Sequence, residues 1–321
     1  MKGLRIGHTS DLTMGTGCTV FLIPEPNRAV ASIRGGAPGS REVPALAPGN
    51  LVENVNALFF SGGSAFGLRC GEGVVDFLHM EGEGFDTPAG KIPIVAGAVI
   101  YDLEVGRPGL PEIEWGYRAS REAGGSPLEG SVGAGTGASV GKAVGIDRSM
   151  KGGFGKGTVD LPEGEVSAYV VTNSLGDIVD PGNGIILAGC RNQEGTIAGF
   201  FHMVRDESNF YQSPFNTTLF AAFFDFFLTR EELFSLTQVA HSALASCIRP
   251  YGTRFDGDCL FLVSCSDRRP PAYFHLISAL YEASRLAITR SVTEAQGVAG
   301  IPSRNDIMRI TTQQSGASLQ D

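Results

Sequence analysis

Two short stretches pair an Asn with a following hydroxyl residue: "VVTNSLGDIV" at 170–179 and "YQSPFNTTLF" at 211–220. Each could be a place where the chain cuts itself before a Ser or Thr, so that the freed α-amine becomes the base for the adjacent hydroxyl. An α-amine has an ordinary pKa of about 7.7 to 8.0, so it accepts a proton at neutral pH without the large shift a Lys would need. Other acyl-transfer routes have less behind them. Nothing in the sequence marks a Ser and a His as a catalytic pair, and no Cys is in a setting that marks it as a reactive thiolate. On local sequence the pairs Asn173–Ser174 and Asn216–Thr217 are equal candidates, and no cut at either is the third possibility.

Two Gly-rich runs could also face a ligand: "SGGSAFG" (61–67) and "GSVGAGTGASVGK" (130–142). The second nearly spells a phosphate-binding loop ending in Gly141-Lys142, but Ala143 stands where Ser or Thr would hold magnesium. No acidic residue ends a strand about 20 positions further on in a clear dinucleotide-binding unit. Tight turns lining a crevice account for both runs, and exposed backbone N–H groups there could serve a developing oxyanion. A small-molecule or nucleotide binder without catalysis is therefore a second reading.

Cofactor and partner expectations follow from what is scattered or scarce. The cysteines at 18, 70, 190, 247, 259 and 265 form no CxxC pair, and the histidines at 8, 79, 202, 241 and 275 have no partner at ligand spacing. No metal or other cofactor is expected, and Cys259 and Cys265, in "CLFLVSC", read as buried reduced thiols. A net charge of -9 argues against nucleic acid and anionic membranes. No apolar stretch reaches about 18 residues, and the opening "MKGLRIGHTSDLTMG" lacks the apolar core of a secretory signal, so a cytoplasmic protein acting on small molecules or peptides is expected.

Several motifs together resemble one family. "IRGGAPGSRE", "SGGSAFGL", "IPIVAGAVIYDL", "GAGTGASVGK" and "FDGDCLF" look like the self-processing hydrolases that include L-aminopeptidase/D-esterase, β-peptidyl aminopeptidase and the 6-aminohexanoate (nylon) oligomer hydrolase. The resemblance runs in consistent order from about residue 5 to 290. It implies an αββα sandwich that cleaves itself before a Ser or Thr opening a strand, which here matches Asn216–Thr217. The implied fragments are 1–216 and 217–321, together one domain, with Thr217 the nucleophile. By the same resemblance Asn173 helps polarise the substrate carbonyl and Ser174 is not a nucleophile; Tyr101 places its hydroxyl near the oxyanion and Lys142 lines the site. Asp256 and Asp258 match the acidic pair that flanks the nucleophile in the nylon oligomer hydrolase. The aminopeptidase branch has a hydroxyl residue and a Glu there, so this chain departs from that branch. The implied activity is hydrolysis of small aminoacyl amides or oligoamides through an acyl-enzyme, and the implied assembly a homotetramer. Acyl transfer of the ornithine acetyltransferase kind, which also uses a self-cleaved Thr, is the alternative within catalysis.

The elements that must position these residues are visible in the apolar patterning. Short β-rich segments separated by Gly turns fill the first two hundred residues, among them "CTVFLIP", "AVASIR", "NALFFSGG" and "VSAYVVTN". "SAFGLRCGEGVVDFLHMEG" has Phe66, Val74, Phe77 and Leu78 at helical spacing, and "EWGYRASREAG" reads as a short amphipathic helix. Beyond residue 216 the order is strand, helix, strand, helix. "TTLFAAFF" leads into a helix with a Thr229/Glu232 capping box that Pro250 ends; "DCLFLVSC" then leads into "AYFHLISALYEASRLAITR". The aromatic run "FFDFF" (223–227) suggests an assembly surface, and the polar tail "TTQQSGASLQD" reads as mobile. No repeat or linker divides the chain, so one layered domain of sheets and helices is expected.

Overall fold

The computed structural model describes residues 1–206 and 215–309. In chain order the principal strands are β1 (Arg5–Asp11), β2 (Thr16–Leu22), β3 (Arg28–Gly35), β4 (Ser40–Arg41), β5 (Ala57–Ser61), β6 (Val95–Val99), β7 (Phe154–Leu161), β8 (Gly164–Asn173), β9 (Thr217–Phe224) and β10 (Gly257–Ser264). The helices are α1 (Cys70–Met80), α2 (Ile113–Arg121), α3 (Phe200–Asp206), α4 (Arg230–Cys247) and α5 (Tyr273–Thr293). One sheet runs β1-β2-β5-β6-β4 and the other β7-β8-β9-β10-β3. Each sheet has one parallel pair, β5 with β6 and β9 with β10, and each pair is joined through a helix. Such pairs need a crossover, which α1 and α4 supply.

Strand periodicity sorts the side chains into three cores. Along β9, Leu219, Ala221 and Phe223 point between the sheets while Phe220, Ala222 and Phe224 point to the helices. Strands β8 and β10 alternate likewise: Tyr169, Val171, Phe261 and Val263 join the inter-sheet layer, and Val170, Leu260 and Leu262 the helix layer. Helices α4 and α5 cover this sheet, and α1 and α2 cover the other around Val20, Phe59, Val74 and Trp115. The layers are therefore α, β, β, α, as the resemblance implies. Phe21, Phe60, Tyr169, Phe223 and Phe261 weld the sheets together through tilted and edge-on ring pairs 5.2 to 6.1 Å apart.

Helix α4 begins where its capping box predicts, Thr229 Oγ1 accepting from the Glu232 N–H while the Glu232 carboxylate accepts from the Thr229 N–H. It ends at Cys247, before Pro250, because Ile248–Arg249 pair instead with residues 177–178. Helix α5 lies unusually close to β7. A Cβ at Gly155 or Gly157 would come within 2.1 Å of the Ala287 carbonyl oxygen or 2.0 Å of the Ala283 one.

Two expectations change. Phe66 lies in a 3-10 turn before α1 and is half-exposed, so the helix and its buried face start at Cys70. Phe223, Phe224 and Phe226 in "FFDFF" are fully buried, because the run belongs to a central strand and its exit; it offers no assembly surface. Cys259 and Cys265 are buried thiols as expected, and the other four cysteines are buried as well, with no disulfide among the six. The tail 311–321 lies outside the described residues.

Candidate active site

The site forms where β8, β9 and β10 come side by side at one end of the second sheet. Antiparallel register sets Asn173, the last residue of β8, opposite Thr217, the first of β9. On the other side Asn216 bridges to Asp256, just ahead of β10. Three chemically distinct segments thereby meet because the sheet ladder fixes their register.

The Thr217 hydroxyl donates to the Asn216 carbonyl oxygen at 2.6 Å. The Gly257 N–H donates to that same oxygen at 2.7 Å, and the Asn216 N–H is held by the Phe255 carbonyl at 3.1 Å. Asn216 and Thr217 are both buried. The peptide between them is thus gripped on both sides, with a hydroxyl against its carbonyl and a backbone donor polarising it. Ser174 offers nothing comparable: its hydroxyl donates to the Gly176 carbonyl within its own turn.

Asp258 accepts from the Thr218 N–H at 2.6 Å and from the Gly252 N–H at 3.2 Å, pinning the start of β9. Asp256 accepts from both the N–H and the hydroxyl of Thr253. Burial raises both carboxyls above the ordinary range. For Asp258 the rise is large, with the neighbouring Asp256 charge adding to it; at Asp256 the Thr253 hydrogen bonds oppose it. The two titrate as a pair.

Lys142 is buried and donates to the Asn173 carbonyl at 3.0 Å and to Asn173 Oδ1 at 2.9 Å. Burial lowers its pKa to about 7, against the pull of Asp256, Glu104 and Asp102. With Oδ1 held also by the Ser139 N–H, the Asn173 amide has one orientation, and its Nδ2 donates to the Tyr101 carbonyl. The Tyr101 hydroxyl turns away from that centre, donating to Glu104 at 3.2 Å, and its ring stacks on Phe215 at 4.8 Å. Asn216, Thr217, Asn173, Lys142, Asp256 and Asp258 are thus brought together. Tyr101 joins through its backbone, its hydroxyl being engaged elsewhere.

The 130–142 loop is no phosphate cradle. Its N–H groups at Gly133, Ala134, Ser139, Gly141 and Lys142 donate to Ser10, Thr19, Asn173, Gly176 and Leu175, and its Lys points inward. Residues without a sequence signal complete it. Lys151 is buried with its ammonium on the carbonyls of Thr136 and Ala138 at 2.7 and 2.6 Å, so the loop wraps around it. Asp102 is buried, holds the Gly63 N–H at 2.7 Å and has its pKa pushed up to about 6 by burial. Among the described residues no cluster of His, Cys, Asp or Glu could hold a metal ion, and no helix is long and apolar enough to cross a membrane.

The same fold occurs in solved structures. The L-aminopeptidase D-Ala-esterase/amidase from Ochrobactrum anthropi, described as a variant of the Ntn hydrolase fold, matches with a TM-score of 0.68 at 14% identity, over 98% of this chain and 93% of that one. A Burkholderia β-aminopeptidase matches with a TM-score of 0.66 at 16% identity, over 98% and 92%. In sequence, an uncharacterized aminopeptidase of Mycobacterium bovis is 33% identical over 95% of this chain and 96% of its own. A 6-aminohexanoate-oligomer endohydrolase of Paenarthrobacter ureafaciens is 32% identical over 83% and 74%. The family and relatives define a hydrolase of amide or peptide bonds, and the solved structures give it the Ntn hydrolase fold. Residues 1–305 match peptidase family S58, and the chain belongs to that family.

Proposed function

We propose that the chain cuts itself between Asn216 and Thr217 and then uses Thr217 as an N-terminal nucleophile on the amides of small aminoacyl or oligoamide substrates. The observation that carries this is the Asn216 carbonyl oxygen, held at once by the Thr217 hydroxyl and the Gly257 N–H. Attack by Thr217 Oγ on that carbonyl carbon gives a tetrahedral oxyanion facing Gly257. The C–N bond then breaks, the Thr217 nitrogen takes up a proton, and an ester links Asn216 to the Thr217 oxygen. Water hydrolyses the ester, leaving the Asn216 carboxylate and a free Thr217 amine.

In the mature enzyme the Thr217 amine takes the proton of its own hydroxyl as that oxygen attacks a substrate amide, and returns it to the leaving amine. Water then clears the acyl-enzyme. Gly257 N–H stands where the substrate oxyanion forms, a donor of the kind worth roughly 2.7 to 4 kcal/mol. Asn173, fixed by Lys142 and Ser139, has a second amide proton for the same task, and the Tyr101 hydroxyl can join only by leaving Glu104. Asp258 keeps β9 in place through the Thr218 N–H. Agreement with the nylon oligomer hydrolases at Asp256 and Asp258 supports linear ω-amino-acid amides as one substrate class, and the family's tetramer is the assembly we expect, in the cytoplasm.

Denaturing mass spectrometry tests the reading. Wild-type protein is expected as two fragments, 1–216 and 217–321, and Thr217→Ala as one inactive intact chain, while Ser174→Ala still cuts. An intact chain in an active preparation would falsify the proposal, and a cut that needs Ser174 would move the nucleophile there.

A further inference from the structure

We propose that the ring of Tyr101 is an acyl-side subsite, so that the mature enzyme favours amides whose acyl group carries an aromatic ring one residue upstream of the carbonyl attacked. The inference rests on Thr217 being the nucleophile and names the substrate class its site selects. In the uncut chain the segment upstream of Thr217 already lies where an acyl group must lie. Its carbonyl is on the Gly257 N–H, its next N–H on the Phe255 carbonyl, and Phe215, one residue further, is stacked on Tyr101 with ring centroids 4.8 Å apart and planes 27° apart.

What that segment rests on is held by contacts outside it. Thr217 stays in register with Asn173, the Thr218 N–H stays on Asp258, and Tyr101 is held by its carbonyl on Asn173 Nδ2 and its hydroxyl on Glu104. A substrate attacked by the same hydroxyl therefore runs over the same track: its first residue follows the Asn216 path to Phe255, and the second meets the bared Tyr101 ring. That shelf is open on its outer side, since Phe215 is 45% exposed even when stacked. An aromatic plane of varied size fits it, and the Glu104 carboxylate beside it disfavours an acidic group.

The test compares N-acetyl-Phe-Asn and N-acetyl-Gly-Asn p-nitroanilides on wild-type protein shown by mass to be cut. A preference of roughly tenfold in kcat/KM for the Phe substrate is expected. Tyr101→Phe should keep that ratio whatever happens to the absolute rate, and Tyr101→Ala should bring it to about one. Competitive inhibition of the wild type by the two corresponding free acids gives the same ratio with no variant at all, should Tyr101→Ala not fold. Equal kcat/KM and equal inhibition in a cut, active enzyme overturn the subsite and leave the Thr217 reading standing. An uncut protein that hydrolyses no amide overturns that reading and the subsite with it.

Discussion

Asp102 sits at the centre of the buried charges behind the site, and its carboxyl, pushed up to about 6 from an ordinary 3.8, has a measurable consequence. A carboxyl whose folded pKa is raised binds more protons in the native than in the unfolded state. Its contribution is therefore most favourable below about pH 4 and is lost as pH rises through about 6. Moving the carboxyl from 3.8 to about 6 is worth about 3 kcal/mol. Asp102→Asn keeps the oxygen that holds the Gly63 N–H and removes the titration. Its stability should rise relative to wild type by up to about 3 kcal/mol between pH 4 and pH 7, as urea unfolding at the two pH values would measure. A parallel pH dependence in both proteins would refute the assignment. At this scale, the side chains proposed to carry the covalent chemistry, Thr217, Asn173, Lys142, Asp256 and Asp258, stand in motifs that the family resemblance picks out. Lys151, Asp102 and Gly257 were not legible. Two act through burial, which a charged letter in a sequence does not announce, and the third through a backbone N–H that any residue type other than Pro would supply.

Among the elements, helix α5 depends on two missing side chains. Gly155 and Gly157 let it settle on β7 with its Ala283 and Ala287 carbonyls against the strand. Gly157→Ala should force helix and strand apart and cost about 1 to 3 kcal/mol, read as a lower urea midpoint; an unchanged midpoint would mean that the layers are not as close as described. Thr229→Ala should cost about 1 kcal/mol through loss of the α4 capping box. That box, and the strand-helix-strand-helix order after residue 216, were readable because capping and periodicity are local. The start of α1 was not, since Phe66 continues the apolar spacing through a 3-10 turn. Nor was the burial of "FFDFF", which depends on β9 being a central strand, a fact of pairing between distant segments.

For the whole molecule, the second sheet is woven from both sides of the expected cut. Strands β7 and β8 precede it, β9 and β10 follow it, and β3 closes the far edge against β10. The aromatic layer is shared too, with Phe21, Phe60 and Tyr169 upstream and Phe223 and Phe261 downstream. The two fragments should therefore migrate as one species in native mass spectrometry and separate only in denaturant. Fragments that part under native conditions would contradict this interleaving. Phe223→Ala, which opens the joint between the sheets, should cost about 3 to 5 kcal/mol in the uncut Thr217→Ala background.

The same weave would give the proposed break at 216–217 a direction in time. While the chain is whole, β9 and β10 reach their slots beside β8 and β3 in a reaction of one molecule. Once it is severed, any unfolded enzyme must regain them by an encounter of two, at a rate set by dilution. Activation by the proposed cut would then also withdraw the right to refold. The durability of such a cut enzyme would be a matter of how slowly it comes apart, rather than how far its equilibrium favours the native state. Dilution series of denatured cut and uncut protein should separate the two regimes, with recovery depending on concentration only in the cut form.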